Sequence, residues 1–166
     1  MSKIRFLSYF IAFIAVVALQ TTVVHAISIR GIKPDLVMIF LVFLSMKEGA
    51  LVGVYAGFFT GLFLDVYAPQ YLGIGSFAKS VVGYLAGLLD ERNIKIDDRY
   101  KLIVLFLASV VHDAITSVGV YGSGPTFGRL LLSNILPAAI YSTMCGGIIL
   151  LLLIRRGYYG DAKHSG

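Results

Sequence analysis

Charge is what this sequence has least of. Only 14% of its 166 residues are Asp, Glu, Lys or Arg, while 58% are hydrophobic. A soluble domain carries roughly 25% charged residues, so a water-exposed surface of ordinary composition is excluded. Mean hydropathy is +0.86. The chain reads as an integral membrane protein with one domain, because no loop is long enough to hold a second, soluble module. Cysteine is nearly absent as well. The single Cys145 lies in an apolar run, which excludes an intrachain disulfide and a thiolate metal cluster. It reads as a small packing or lipid-facing residue. No dense basic patch with interleaved aromatics occurs, so nucleic acid is excluded as a partner. The net charge of +5 is instead an orientation signal.

The N-terminal stretch "MSKIRFLSYFIAFIAVVALQTTVVHA" has a basic start, an apolar run and a small-x-small end at Val24-His25-Ala26. That pattern also fits a signal peptide. Its apolar run from Phe6 to Val24 is nearly of full spanning length, and a retained first helix is expected.

Charge, Pro and Gly clusters bound six apolar segments, at about 6–24, 34–46, 50–65, 72–89, 101–118 and 130–154. The second and third are short, so 34–65 read as one helix would give five spans. Basic residues decide between the two. With six spans, Lys3, Arg5, Lys47, the loop "DERNIKIDDRYK" (Asp90–Lys101) and Arg155, Arg156 and Lys163 fall inside. Only Arg30, Lys33 and Arg129 fall outside. Five spans would move the basic loop outside, against the positive-inside rule. The sequence therefore predicts an all-α, six-helix transmembrane bundle spanning 1–166, with both termini cytoplasmic and "MKEGA" (Met46–Ala50) as a tight inner turn.

Gly53, Gly57 and Gly61 recur every four residues, and Asp65 continues the row. Lys79, Gly83 and Gly87 repeat it on the next segment. Residues four apart share a helix face. Small residues on such a face let helix backbones approach within lipid, so these glycines mark helix packing or a groove for a partner helix. The likeness of "VGVYAG" to "VGYLAG" is too slight to be a repeat architecture.

Polar residues concentrate in the outer half. Asp35 opens the second segment and Asp65 ends the third. Lys79, His112, Asp113, Arg129 and Asn134 fall at similar depths, with Pro137 set to kink the last helix. The inner half of the spans has almost none. These residues form a candidate outward polar cavity. A lone Lys at the bilayer centre costs about 2.5–3.5 kcal/mol, so Lys79 is expected to face inward and pair with Asp65 or Asp113. Plainer readings stand beside this one. Asp35 and Arg129 fit interfacial helix ends, and Lys79 has a stem long enough to snorkel outward. His112 and Asp113 are helix neighbours that point to different faces and lack a partner motif, so neither catalysis nor metal binding is expected. Tyr55, Phe58, Phe59, Phe63 and Tyr67 read as lipid or packing contacts.

The segment "KPDLVMIFLVFLSMKEGALVGVYAGFFTGLFLDVYAPQYLGIGSFAKSVVGYLAGLLDER" resembles the bacterial rod shape-determining protein MreD family. The matching features are Pro34-Asp35-Leu36 opening a short span, the Gly-x-x-x-Gly helix, its "GLFLD" end and the "LGIGSFAKSVVGYLAG" continuation. Asp65 matches the acidic end of the family's third span. The resemblance implies a non-enzymatic subunit of the cell-elongation machinery, supporting lateral peptidoglycan synthesis in the inner membrane. The implied partners are an MreC-like single-span protein, the MreB cytoskeleton, RodA and a class B penicillin-binding protein. It also implies a fold similar to the substrate-binding subunits of energy-coupling-factor transporters, with a pocket opening outward. It carries no catalytic motif and no cofactor. The alternative function is a solute-binding subunit of such a vitamin transporter. An intramembrane enzyme would need paired catalytic groups that the sequence does not contain.

Overall fold

The computed structural model describes residues 3–26, 34–66, 72–91, 97–122 and 131–155. Those residues form six α-helices and no strand: α1 (Lys3–Ala26), α2 (Leu36–Glu48), α3 (Ala50–Asp65), α4 (Ile74–Leu88), α5 (Asp98–Tyr121) and α6 (Leu136–Arg155). A π-helical turn, Leu131–Ile135, leads directly into α6. It widens the backbone just before Pro137, which has no N–H to donate to the preceding turn.

From Leu36 to Leu44 every residue of α2 is apolar. A helix apolar all round belongs at the centre of a bundle. The fold obeys this, for α2 touches α1, α3, α4, α5 and α6. Met38, Ile39, Leu41, Val42 and Met46 from α2 form the core with Val82, Ala86, Leu105 and Ala108. The helix starts at Asp35, whose Oδ1 accepts from the Met38 N–H at 2.8 Å and so satisfies one of the free donors of its first turn.

Gly49 alone separates α2 from α3. Its φ of 93° lies in the left-handed region that favours glycine. Its N–H closes α2 on the Ser45 carbonyl at 2.8 Å, and its own carbonyl accepts from Gly53 N–H at 3.0 Å. One residue thus ends one helix and begins the next, and 34–65 is not a single helix.

The outer surface is apolar too. Leu51, Tyr55 and Phe59 stand 77%, 65% and 64% exposed. Phe58 and Phe63 are also exposed, and Phe63 meets Phe13 edge-on at 6.1 Å. Tyr67 lies outside the described residues. Among the described residues, Tyr100–Tyr121 and Ser133–Leu152 are long and apolar enough to cross a bilayer. The 13 residues of α2 rise only about 20 Å.

With apolar groups both inside and out, hydrophobicity gives helices little reason to associate in lipid, and close backbone packing takes over. The interface of α3 with α4 is the most extensive in the fold. A Cβ on Gly53 would strike the Gly83 carbonyl oxygen, and one on Gly83 would strike that of Gly53. One on Gly57 would strike the Lys79 carbonyl, and one on Gly61 the Ser76 Cα. One on Gly87 would come within 2.5 Å of the Ala50 Cα. The glycine rows meet the facing backbone across this intrachain contact.

Candidate functional site

The central helix carries its N-terminal end into a polar cluster supplied by its neighbours. The Asp35 N–H donates to Ser142 Oγ of α6 at 3.1 Å. The Leu36 N–H donates to Gln20 Oε1 of α1 at 2.8 Å, and Gln20 Nε2 donates back to the Pro34 carbonyl at 3.3 Å. These contacts satisfy donors that the first turn of a helix leaves free.

Lys79 of α4 reaches the same point. It is 4% exposed, so it does not snorkel to a surface. Its Nζ lies 3.4 Å from Asp35 Oδ2 and 2.9 Å from His112 Nε2. The expectation that Asp65 or Asp113 would be its carboxylate partner is therefore corrected: the partner is Asp35. His112 Nδ1 in turn lies 3.0 Å from Asp113 Oδ1. An ammonium at Lys79 donates to Nε2, which leaves the imidazole proton on Nδ1 to donate to Asp113. A chain of side chains then runs Asp35–Lys79–His112–Asp113 across three helices. The neighbours His112 and Asp113 do meet, contrary to the expectation from helix geometry. An imidazole carries its Nδ1 close to its own backbone, within reach of the next residue's carboxylate.

Asp65 does something else. Its Oδ2 accepts from Gly73 N–H at 2.9 Å, Ser76 N–H at 3.0 Å and Ser76 Oγ at 3.1 Å. It ties the end of α3 to the start of α4. Gly73, with φ 98°, precedes α4 and has no side chain to cap it, so Asp65 supplies the capping oxygen from another helix. Asp65→Ala should lower stability by about 1–2 kcal/mol, read as a melting shift in detergent. Asp65→Asn should restore nothing in a Lys79→Met background. Rescue there would overturn the capping role.

A cavity of about 220 Å³ opens beside the cluster, lined by Gln20, Asp35, Met38, Ser109, His112, Asp113, Ala138 and Ser142. It unites His112 and Asp113 of the expected set. Lys79 sits behind it, and Asp65 and Asn134 do not line it. Asn134 is exposed on the π-helical turn. Arg129 lies outside the described residues. Gln20, Ser109 and Ser142 were missed from the sequence. A lone amide or hydroxyl in an apolar helix has no distinctive signal, since serine hydroxyls often bond to their own helix's backbone, as Ser45 does to the Leu41 carbonyl at 2.7 Å.

The opposite end is also more polar than expected. Glu48, Asp90 and Lys101 are buried there. Tyr9 Oη donates to Glu48 Oε1 at 2.6 Å, and Lys101 Nζ pairs with Glu91 Oε1 at 3.2 Å. The Glu91 N–H donates to the Met46 carbonyl at 2.8 Å. These contacts bind the α2–α3 turn to the segment between α4 and α5. The sequence places Lys47 and the basic loop at this end but shows no buried partners there.

No curated protein and no solved structure matches the chain. A family model does, that of the rod shape-determining protein MreD, over residues 1–154. Its reach takes in all six helices but for Arg155, and every residue of the polar cluster. The chain therefore belongs to the MreD family of membrane proteins that determine rod shape.

Proposed function

We propose that the chain is a non-enzymatic, multi-pass subunit of the bacterial cell-elongation machinery in the inner membrane. It binds an MreC-like single-span protein and works with the MreB cytoskeleton, RodA and a class B penicillin-binding protein in lateral peptidoglycan synthesis. The observation that carries this reading is the family match over residues 1–154. An apolar exterior, with Lys79 and His112 buried inside the bundle rather than exposed on it, supports placement in a bilayer. In this reading all six helices cross, both termini are cytoplasmic, and the bundle follows the plan of energy-coupling-factor substrate-binding subunits. No observation favours the transporter alternative.

Affinity purification from native membranes should recover a single-span MreC-like protein, and depletion should turn rods into spheres. Recovery of an ATPase with a coupling subunit instead would overturn the reading. With Cys145 first replaced by serine, cysteines at Asn93 and Ser165 should resist an impermeant thiol reagent in intact cells, and one at Gln70 should react. Labelling at position 93 would overturn the six-crossing arrangement.

A further inference from the structure

The polar cavity beside α2 is a built site with an unmet hydrogen-bonding demand. Ser109 lines the cavity and is 4% exposed, and its buried hydroxyl has no partner among the described residues. Buried hydroxyls almost always find a partner. Asp113 gives Oδ1 to His112, and its Oδ2 has no hydrogen bond among the described residues. Ser142 Oγ accepts one hydrogen bond from Asp35 and keeps a free lone pair and its own proton.

The free capacity is mostly of one kind. The imidazole nitrogens of His112 are both engaged, and the Gln20 amide gives one of its two N–H groups to Pro34. What remains is chiefly acceptor oxygens. The charge agrees. Among the eight described residues that line it, two are carboxylates and none is Lys or Arg. The Lys79 ammonium lies behind the wall, engaged with Asp35 and His112. The side chains of Asp35 and Asp113 are 29% and 30% exposed, whereas those of Lys79 and His112 are 5% and 11% exposed. The carboxylates therefore keep accessible surface, and the cation is buried. The volume of about 220 Å³ far exceeds the roughly 10–15 Å³ that one water needs.

We infer that this cavity binds a small primary ammonium group, held by Asp113 and Ser109 with Asp35 at its edge. Three N–H donors in one compact cation match the unused acceptors. A quaternary ammonium offers the charge without the donors and does not fit. Two sources carry this chemistry: a free amine from outside the membrane, or the headgroup of an aminophospholipid. The inference is independent of which partners the chain binds.

The test uses the full chain in phosphatidylglycerol nanodiscs, with melting temperature as the readout. Ethanolamine should raise it saturably, by about 5 °C or more at a hundredfold excess over Kd. Tetramethylammonium at equal concentration should not. Replacing part of the lipid with phosphatidylethanolamine forms the second arm. A rise there that free ethanolamine cannot reproduce assigns the site to a lipid headgroup, and a rise with ethanolamine assigns it to the free amine. Asp113→Asn should weaken binding about tenfold or more. Ser109→Ala should weaken it several-fold, yet leave the unliganded melting temperature in place, because the hydroxyl has no partner to lose. Ser109→Ala thus keeps the test decisive if Asp113→Asn folds poorly. No shift in either arm, a shift equal to that from tetramethylammonium, or shifts unchanged in Ser109→Ala would mean that the cavity holds only water, and would overturn the inference.

Discussion

Lys79→Met is expected to destabilise the protein by about 3 kcal/mol, the low end for removing one partner of a buried ion pair. The methionine fills a similar volume, so the loss is electrostatic. It leaves the Asp35 carboxylate without its cation and His112 Nε2 without its donor. The low end applies because the Asp35 side chain is 29% exposed and water softens its isolation. Adding Asp35→Asn should recover more than half of the loss. An asparagine at that position still caps α2 by accepting from Met38 N–H, and no buried charge is then unpaired. Melting in detergent measures the stability, and complementation of cell shape measures the function. Asp65→Asn, tried in the same background, should recover nothing. Equal recovery from Asp65→Asn and Asp35→Asn would refute the assignment of Asp35 as partner.

Gly57→Leu should cost about 3 kcal/mol or more, at or beyond the upper end of ordinary overpacking. The clash is with backbone, since an added Cβ meets the Lys79 carbonyl oxygen, with the Lys79 carbonyl carbon at 2.6 Å and Ser80 N at 2.8 Å. A flexible side chain could rotate away, but a helix backbone moves only as a whole. Helices α3 and α4 must then separate. That displacement also draws Lys79 from Asp35 and His112, so Gly57→Leu and Lys79→Met should be less than additive. Phe58→Leu is the control. Phe58 is exposed, and its replacement should leave melting nearly unchanged. Equal melting temperatures for the two variants would show that close approach at Gly57 does not hold α3 to α4.

What the sequence determined by itself is whatever depends on composition and local spacing. Its low charge and high apolar content placed the chain in a membrane. The basic residues of the Asp90–Lys101 loop marked the hairpin at Met46–Ala50, because the positive-inside rule keeps that loop inside only if two helices precede it there. Glycines four apart marked the face on which α3 and α4 meet, because 3.6 residues per turn place them together. The ordered motifs from Lys33 to Arg92 carried the family resemblance.

Tertiary structure decided which polar groups meet. Depth along a helix can be counted from its end and made Asp113 look like a partner for Lys79, while the facing glycine rows and nearness in sequence made Asp65 look like one. Pairing also depends on the rotation of each helix about its axis and on which helix lies at the centre. The apolar run Leu36–Leu44 has no polar face to fix that rotation. Only packing against five neighbours turned the start of α2 toward Lys79, 44 residues away in sequence. The same packing brought Gln20, Ser109 and Ser142 from three different helices to one cavity. Asp65 was taken up by the free N–H groups at the start of α4, a demand that arises only once Gly73, which has no capping side chain, is placed beside it.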